Sequence, residues 1–185
     1  MKRKLLAVVA ADMAGFSRLI ENDEITILSR QKSHFNEVIK PAIKNFNGEI
    51  IKTTGDGFLA TFESALDAVE SSIEIQTKIN ELEKPFTSEK RIWYRVGINI
   101  GDVVLDEGDI FGNCVNIASR LESIADSGGI CITSDIFQNI KNLKPYNFKN
   151  LGEQHLKNIT QQINVYKIIV GEEDFNLDNS IPKIL

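Results

Sequence analysis

Long apolar runs are missing from this 185-residue chain, and that absence sets the first boundary. The stretch Leu5 to Ala11 is long enough for a buried strand but far short of the roughly 20 residues that span a bilayer. It runs straight into Asp12 and a glycine-containing turn, so it also lacks the small-residue cleavage region of a signal peptide. Cysteine is scarce. Cys114 and Cys131 have neither metal-ligand spacing nor a disulfide framework around them, as expected for reduced thiols in a cytoplasmic protein. Positive charge is in deficit, with a formal net charge of −5, so no basic field or basic-aromatic stripe exists to hold nucleic acid or an anionic membrane. An anionic ligand would need local help from metals, Lys and Arg. The two histidines, His34 and His155, have no partner spacing for metal or general-base work. Trp93 and Tyr94 read as strand packing. Repeats and low-complexity tracts are absent.

What remains is 42% hydrophobic and 25% charged, the balance of one globular domain with a full core. Lys4 to Ala11 predicts a buried central strand ending at Asp12. Asn22-Asp23-Glu24 predicts the capped start of a long helix, with Leu28, Phe35, Val38, Ile39, Ala42, Ile43 and Phe46 as its core stripe and a kink at Pro41. Glu49 to Thr53 and Phe58 to Phe62, joined by Thr54-Gly55-Asp56-Gly57, read as a β-hairpin. A second helix follows from Ser64 to Pro85. A strand runs from Arg91 to Ile100, with a turn at Gly101-Asp102. A third helix covers about Gly112 to Ala125. Ile130 to Thr133, a short helix capped by Ser134-Asp135, Phe148 to Leu151 and Ile163 to Val170 complete residues 1–170. Residues 171–185, opening on Glu172-Glu173-Asp174, read as an acidic linker or disordered tail.

The order β–α–β–β–α–β with a central hairpin is the split-βαβ plan of a ferredoxin-like α+β sheet, which palm domains handling nucleoside triphosphates share. In that topology the first strand lies beside the hairpin, so Asp12 and Asp56 converge at one sheet edge. Paired hard carboxylates suit magnesium, which takes one or two of them with phosphate oxygens and water. An Asp in a glycine turn is usually there for turn chemistry, and only the pair shifts that balance. On the third helix Cys114, Ile117, Ala118, Leu121, Ile124 and Ala125 form one apolar stripe. Asn116 and Arg120, four residues apart, share another face with Asn113. A solvated face is the plain reading. A phosphate-directed Arg beside a ribose-binding Asn is the sharper one.

The segments Ala11-Asp12-Met13-Ala14-Gly15-Phe16-Ser17, Lys52-Thr53-Thr54-Gly55-Asp56-Gly57-Phe58-Leu59-Ala60 and Asp109-Ile110-Phe111-Gly112-Asn113-Cys114-Val115-Asn116-Ile117-Ala118-Ser119-Arg120 resemble the signature blocks of class III adenylate/guanylate cyclases. The likeness spans residues 4 to 170 in family order. Leu151-Gly152-Glu153 with Leu156-Lys157-Asn158-Ile159 is similar to the C-terminal block of bacterial members, although Asn158 stands where many relatives have Gly. The resemblance implies a palm-type cyclase domain that converts ATP to 3′,5′-cyclic AMP and pyrophosphate with two Mg²⁺ ions, for which Mn²⁺ substitutes. It assigns Asp12 and Asp56 to the metals, Lys52 and Asp109 to the base, Asn116 to the ribose, Arg120 to the transition state and Lys157 to phosphate. It further implies a head-to-tail homodimer, with the two aspartates of one protomer facing the base, ribose and Arg residues (Lys52, Asp109, Asn116 and Arg120) of the other.

Hydrogen-bond polarity gives the base. Asp109 accepts from an amino group and Lys52 donates to a ring nitrogen, which suits adenine. Guanylate-type members carry an acid and a Cys at those places. Cytosine presents a similar edge, so a cyclase acting on CTP stays open, as does a catalytically silent domain that only binds nucleotide. A diguanylate cyclase should carry a Gly-Gly-Asp/Glu-Glu-Phe hairpin, and Thr54-Gly55-Asp56-Gly57 is not one.

Overall fold

The computed structural model describes residues 1–171 and forms one eight-stranded sheet with helices on both faces. Six strands lie near the sequence expectations: β1 (Lys2–Met13), β2 (Glu49–Thr53), β3 (Gly57–Phe62), β6 (Ile130–Thr133), β7 (Phe148–Gln154) and β8 (Ile163–Ile168). With β4 (Tyr94–Asp106) they take the order β2-β3-β1-β4-β6-β8-β7, and β5 (Asp109–Phe111) pairs with β4. All pairs are antiparallel except β4 with β6. The expected α+β palm plan is therefore observed. The acidic tail expected after Val170 lies, beyond Gly171, outside the described residues.

β1 is central because both of its faces are apolar. Ala7, Val9, Ala11 and Met13 point to a core shared with the helices α1 (Phe16–Ser33), α2 (Lys40–Asn45), α3 (Ala65–Glu83) and α5 (Ser134–Ile140). Leu6, Val8 and Ala10 point to the opposite face, where α4 (Asn113–Ile124) packs through Cys114 and Ala118. This period-two split fixes the strand's register, since a slip of one residue would exchange the two faces. Ser64 caps α3 as expected, its Oγ accepting from Asp67 N at 3.2 Å.

Four local expectations need correction. The first helix starts at Phe16, before Asn22, and breaks at Asp23 (φ −160°, ψ 78°). Asp23 Oδ1 then accepts from Thr26 N at 3.2 Å, so the predicted cap exists but restarts a helix already begun. No turn forms at Gly101-Asp102, because β4 pairs with β1 without interruption from Met13↔Tyr94 to Lys2↔Leu105. The irregularity expected at Pro41 falls just upstream, in a π-helical segment from His34 to Ile39 that runs without a break into α2, where Pro41 is the second residue. Thr133, not Ser134, occupies the N-cap of α5.

Candidate active site

Two close backbone approaches build the site. At Gly57 an added Cβ would lie 2.0 Å from Ala11 O, so only glycine lets the β2–β3 hairpin press against the end of β1. Met13 N donates to Asp56 O at 2.9 Å, and Gln31 Nε2 of α1 donates to Gly55 O at 2.6 Å, holding the turn from both sides. At Gly97 an added Cβ would meet Ala118 O at 2.2 Å and Glu122 N at 2.3 Å, so α4 lies directly on β4. A cleft of about 330 Å³ results, and Asp12, Asp56 and Lys52 line it together with Val115, Ser119 and Glu122 of α4.

Asp12 and Asp56 are thus brought together, both half-buried. Burial pushes the Asp56 carboxyl up, and the nearby charge of Asp12 adds to that, while its own backbone N–H and Arg95 act against it. Arg95, opposite Asp12 in the ladder, grips it with two bonds: Nε to Oδ1 at 3.0 Å and Nη2 to Oδ2 at 2.8 Å. Those bonds hold the guanidinium firmly charged. Glu122 completes the cluster. Its Oε1 is buried, lies 3.2 Å from Arg95 Nη2 and accepts no hydrogen bond. Burial, a hydrogen bond to Asp12 and the charges of Asp12 and Asp56 push the Glu122 carboxyl up to about 8.

Sequence reasoning missed Arg95, Glu122 and Gln31. Arg95 sits in a strand pattern and meets Asp12 across 83 residues. The faint signal for Glu122 was an acid between Leu121 and Ile124, on the row that continues Val115 and Ser119.

Lys52 and Asp109 also meet, with Nζ 2.8 Å from each carboxylate oxygen. A bulge between Ile50 and Lys52 re-aims β2 toward β5, and Ile110 N donates to Asp109 Oδ1 at 2.8 Å. The Lys52 bond, then the Ile110 N–H, holds the Asp109 carboxyl below its ordinary range. Both side chains are accessible, so the pair presents a donor and an acceptor side by side.

The structure does not bring Asn116 and Arg120 into this cleft. They sit one helix position on from Val115 and Ser119, about 100° around the axis, and neither lines it. Among the described residues no side-chain hydrogen bond or ion pair restrains Asn116, Arg120 or Lys157. Lys157 is exposed in the turn before β8, and Asn158 after it takes φ 63°.

For a divalent cation the donor set fits in kind: hard carboxylate oxygens with more negative charge than Arg95 offsets. Among the described residues no three His, Cys, Asp or Glu side chains form a metal cage. A cation here needs further oxygen ligands, which is how magnesium is held when phosphates complete its shell. No helix among the described residues is long and apolar enough to cross a membrane.

The family "Adenylate and Guanylate cyclase catalytic domain" matches residues 2–170. A Rhizobium meliloti (strain 1021) protein named "Putative adenylate cyclase 3" is 34% identical over 166 residues, 90% of this chain and 28% of that protein. An adenylate cyclase of Streptomyces coelicolor is 33% identical over 133 residues, 71% of this chain and 33% of its own length. The chain thus spans a third or less of these relatives. A crystal structure titled adenylate/guanylate cyclase/hydrolase from Silicibacter pomeroyi superposes with a TM-score of 0.87 at 46% identity, over 92% of this chain and 99% of that one. The adenylyl cyclase CyaB from P. aeruginosa gives 0.81 at 26%, over 94% and 97%. Class III domains dimerise, bind nucleoside triphosphates and generally use two divalent metals. With its fold and nearly its whole length matched, this chain belongs to the class III adenylate/guanylate cyclase family.

Proposed function

We propose that this domain is an adenylate cyclase, forming 3′,5′-cyclic AMP and pyrophosphate from ATP in cyclic-nucleotide signalling, at two equivalent sites of a head-to-tail homodimer. The observation that carries the adenine reading is the Lys52–Asp109 pair, 2.8 Å apart and accessible. Separated by a base, Lys52 donates to a ring nitrogen and Asp109 accepts from the exocyclic amine. Guanine, with a carbonyl and an N–H at those places, would set like against like.

Asp12 and Asp56 hold two Mg²⁺ or Mn²⁺ ions, which when bound acidify the ribose 3′-hydroxyl and neutralise the triphosphate. Asn116 positions the ribose, Arg120 offers planar donors to charge developing on the α-phosphoryl oxygens, and Lys157 binds phosphate. Cyclisation is intramolecular, so no protein nucleophile is required. The absence of Asn116 and Arg120 from their own chain's cleft supports the shared-site reading. Phe111 at the end of β5 and Ile124 at the end of α4, 52% and 43% exposed, would supply apolar surface for a partner.

Two measurements test this. ATP, GTP, CTP and UTP assayed under identical conditions with Mg²⁺ or Mn²⁺ should give cyclic AMP as the main product. No turnover would leave a silent binding domain, and CTP preference would overturn the base assignment. In the second, Asp56→Ala and Arg120→Ala should each cost on the order of 10²–10³ in turnover. Mixing the two chains should restore one intact site per heterodimer, and failure of verified heterodimers to recover activity would remove the shared-site reading.

A further inference from the structure

We propose that Glu122 is a positioning residue for the cation site: it takes over the Arg95 guanidinium from Asp12 when a divalent cation claims the Asp12 carboxylate. The inference rests on reading Asp12 and Asp56 as cation ligands and goes beyond it by giving the site a built-in exchange. Both Asp12 oxygens are committed to Arg95, at 3.0 and 2.8 Å. A cation using that carboxylate therefore competes with a guanidinium for the same atoms.

Arg95 is half-buried, and a guanidinium pulled off its partner there needs another acceptor. Its remaining bond, Nη1 to Ser123 O, is long at 3.4 Å. Glu122 Oε1 lies 3.2 Å from Nη2, the nitrogen that holds Asp12 Oδ2, and accepts no hydrogen bond. A small rotation of the guanidinium converts one partner into the other. The Glu122 backbone is held beside the site, because its N sits against Gly97, two residues along β4 from Arg95. Without Glu122, the long Nη1 bond to Ser123 O is the other acceptor Arg95 keeps among the described residues, so the guanidinium stays on Asp12 and the cation must compete with it.

The test is Mn²⁺ binding to the full chain without nucleotide, by titration calorimetry, with circular dichroism to verify folding. Asp56→Asn should abolish binding. If it does not, the cation-site reading fails, independently of Glu122. Given that control, Glu122→Ala should weaken Mn²⁺ binding about tenfold, the scale for an outer-shell partner. Glu122→Leu, which fills the same volume, should do likewise if the alanine variant folds poorly. Glu122→Gln keeps an acceptor in place and should stay within about twofold of wild type. In an Arg95→Ala background Glu122→Ala should have no further effect, because the two act as one unit. The proposal is overturned if Glu122→Ala changes nothing, if Glu122→Gln loses as much as Glu122→Ala, or if the loss persists without Arg95. The second outcome would mean bare charge, the third a direct ligand.

Discussion

Two ionic clusters flank the start of β4, and they are built in opposite ways. In one, a single carboxylate, Glu83, only 1% exposed, is closed off by donors: Ile92 N at 2.8 Å, His34 Nε2 at 3.0 Å and the Arg30 guanidinium. Burial alone would raise the Glu83 carboxyl, but the His34, Ile92 and Arg30 bonds outweigh it and bring the group below its ordinary range. In the other, Asp12, Asp56 and Glu122 share one guanidinium, and both Asp56 and Glu122 are pushed up. Tyr94 lies between the two and feels both: burial, then Glu83 and Asp56, raise its hydroxyl. A satisfied buried charge stabilises a fold. An excess of acid leaves a charge demand that, in the proposed function, a divalent cation would meet.

Breaking the closed cluster should give the largest effect on stability. Glu83→Ala leaves His34 Nε2 and the Ile92 N–H without their acceptor and Arg30 with the Lys90 carbonyl in place of a carboxylate, the kind of loss that costs about 3–5 kcal/mol. For a domain of this size that lowers Tm by roughly 6–20 °C. Because the folded pKa of Glu83 lies below its ordinary 4.5, its contribution is present above that pH and is lost as pH falls through the folded value. The gap between wild type and variant should therefore narrow in acid. A loss under about 1 kcal/mol at pH 7 would place this cluster with exposed surface pairs instead.

The open cluster should answer with the opposite sign. Below pH 4.5 Glu122 is protonated whether the chain is folded or not. As pH rises from 4.5 to about 8 the unfolded chain ionises while the folded one keeps the proton, so wild-type stability falls. Gln does not titrate. Glu122→Gln, without metal, should thus gain on wild type through that window, reaching on the order of 2 kcal/mol at pH 8. Denaturant unfolding at pH 5 and pH 8 with a chelator present reads it directly. A Glu122→Gln protein less stable than wild type at pH 8 would erase the contrast between the clusters.

The sequence makes one cluster half legible and hides the other. Asp12 and Asp56 stand out because strand ends and glycine turns are local signals, and Gly57 turns out to serve the very contact that joins them. Lys52 and Asp109 become legible through the family blocks, and the structure brings them together. Arg95 and Glu122 leave no local trace, since their meaning depends on the register of β1 with β4 and on how α4 seats over Gly97. Glu83 ends a helix pattern and His34 looked like an ordinary helical residue, yet they meet through packing of distant segments. The helical break at Asp23 was visible only as a cap, because a cap signal does not say whether another helix precedes it. Local chemistry shows through the sequence, and partners brought by register do not.

Lys157 gives the smallest and sharpest case, because its position depends on one residue's backbone. Asn158 takes φ 63°, in the left-handed region where many relatives place Gly, and Ile159 N closes the turn on Leu156 O at 3.0 Å. Asn visits this region more readily than other non-glycine residues. Asn158→Gly relieves that residual strain but loosens the unfolded chain by about 0.4–1 kcal/mol, so the terms nearly cancel. Stability should move by less than about 0.5 kcal/mol and the KM for ATP should hold. Asn158→Val meets the full left-handed penalty of about 1–2 kcal/mol or leaves the turn. It should raise KM while nucleotide-free Mn²⁺ binding stays as in wild type, since Lys157 lies outside the acidic cleft. Equal KM in the Gly and Val variants would show that this turn does not place Lys157 on the phosphates.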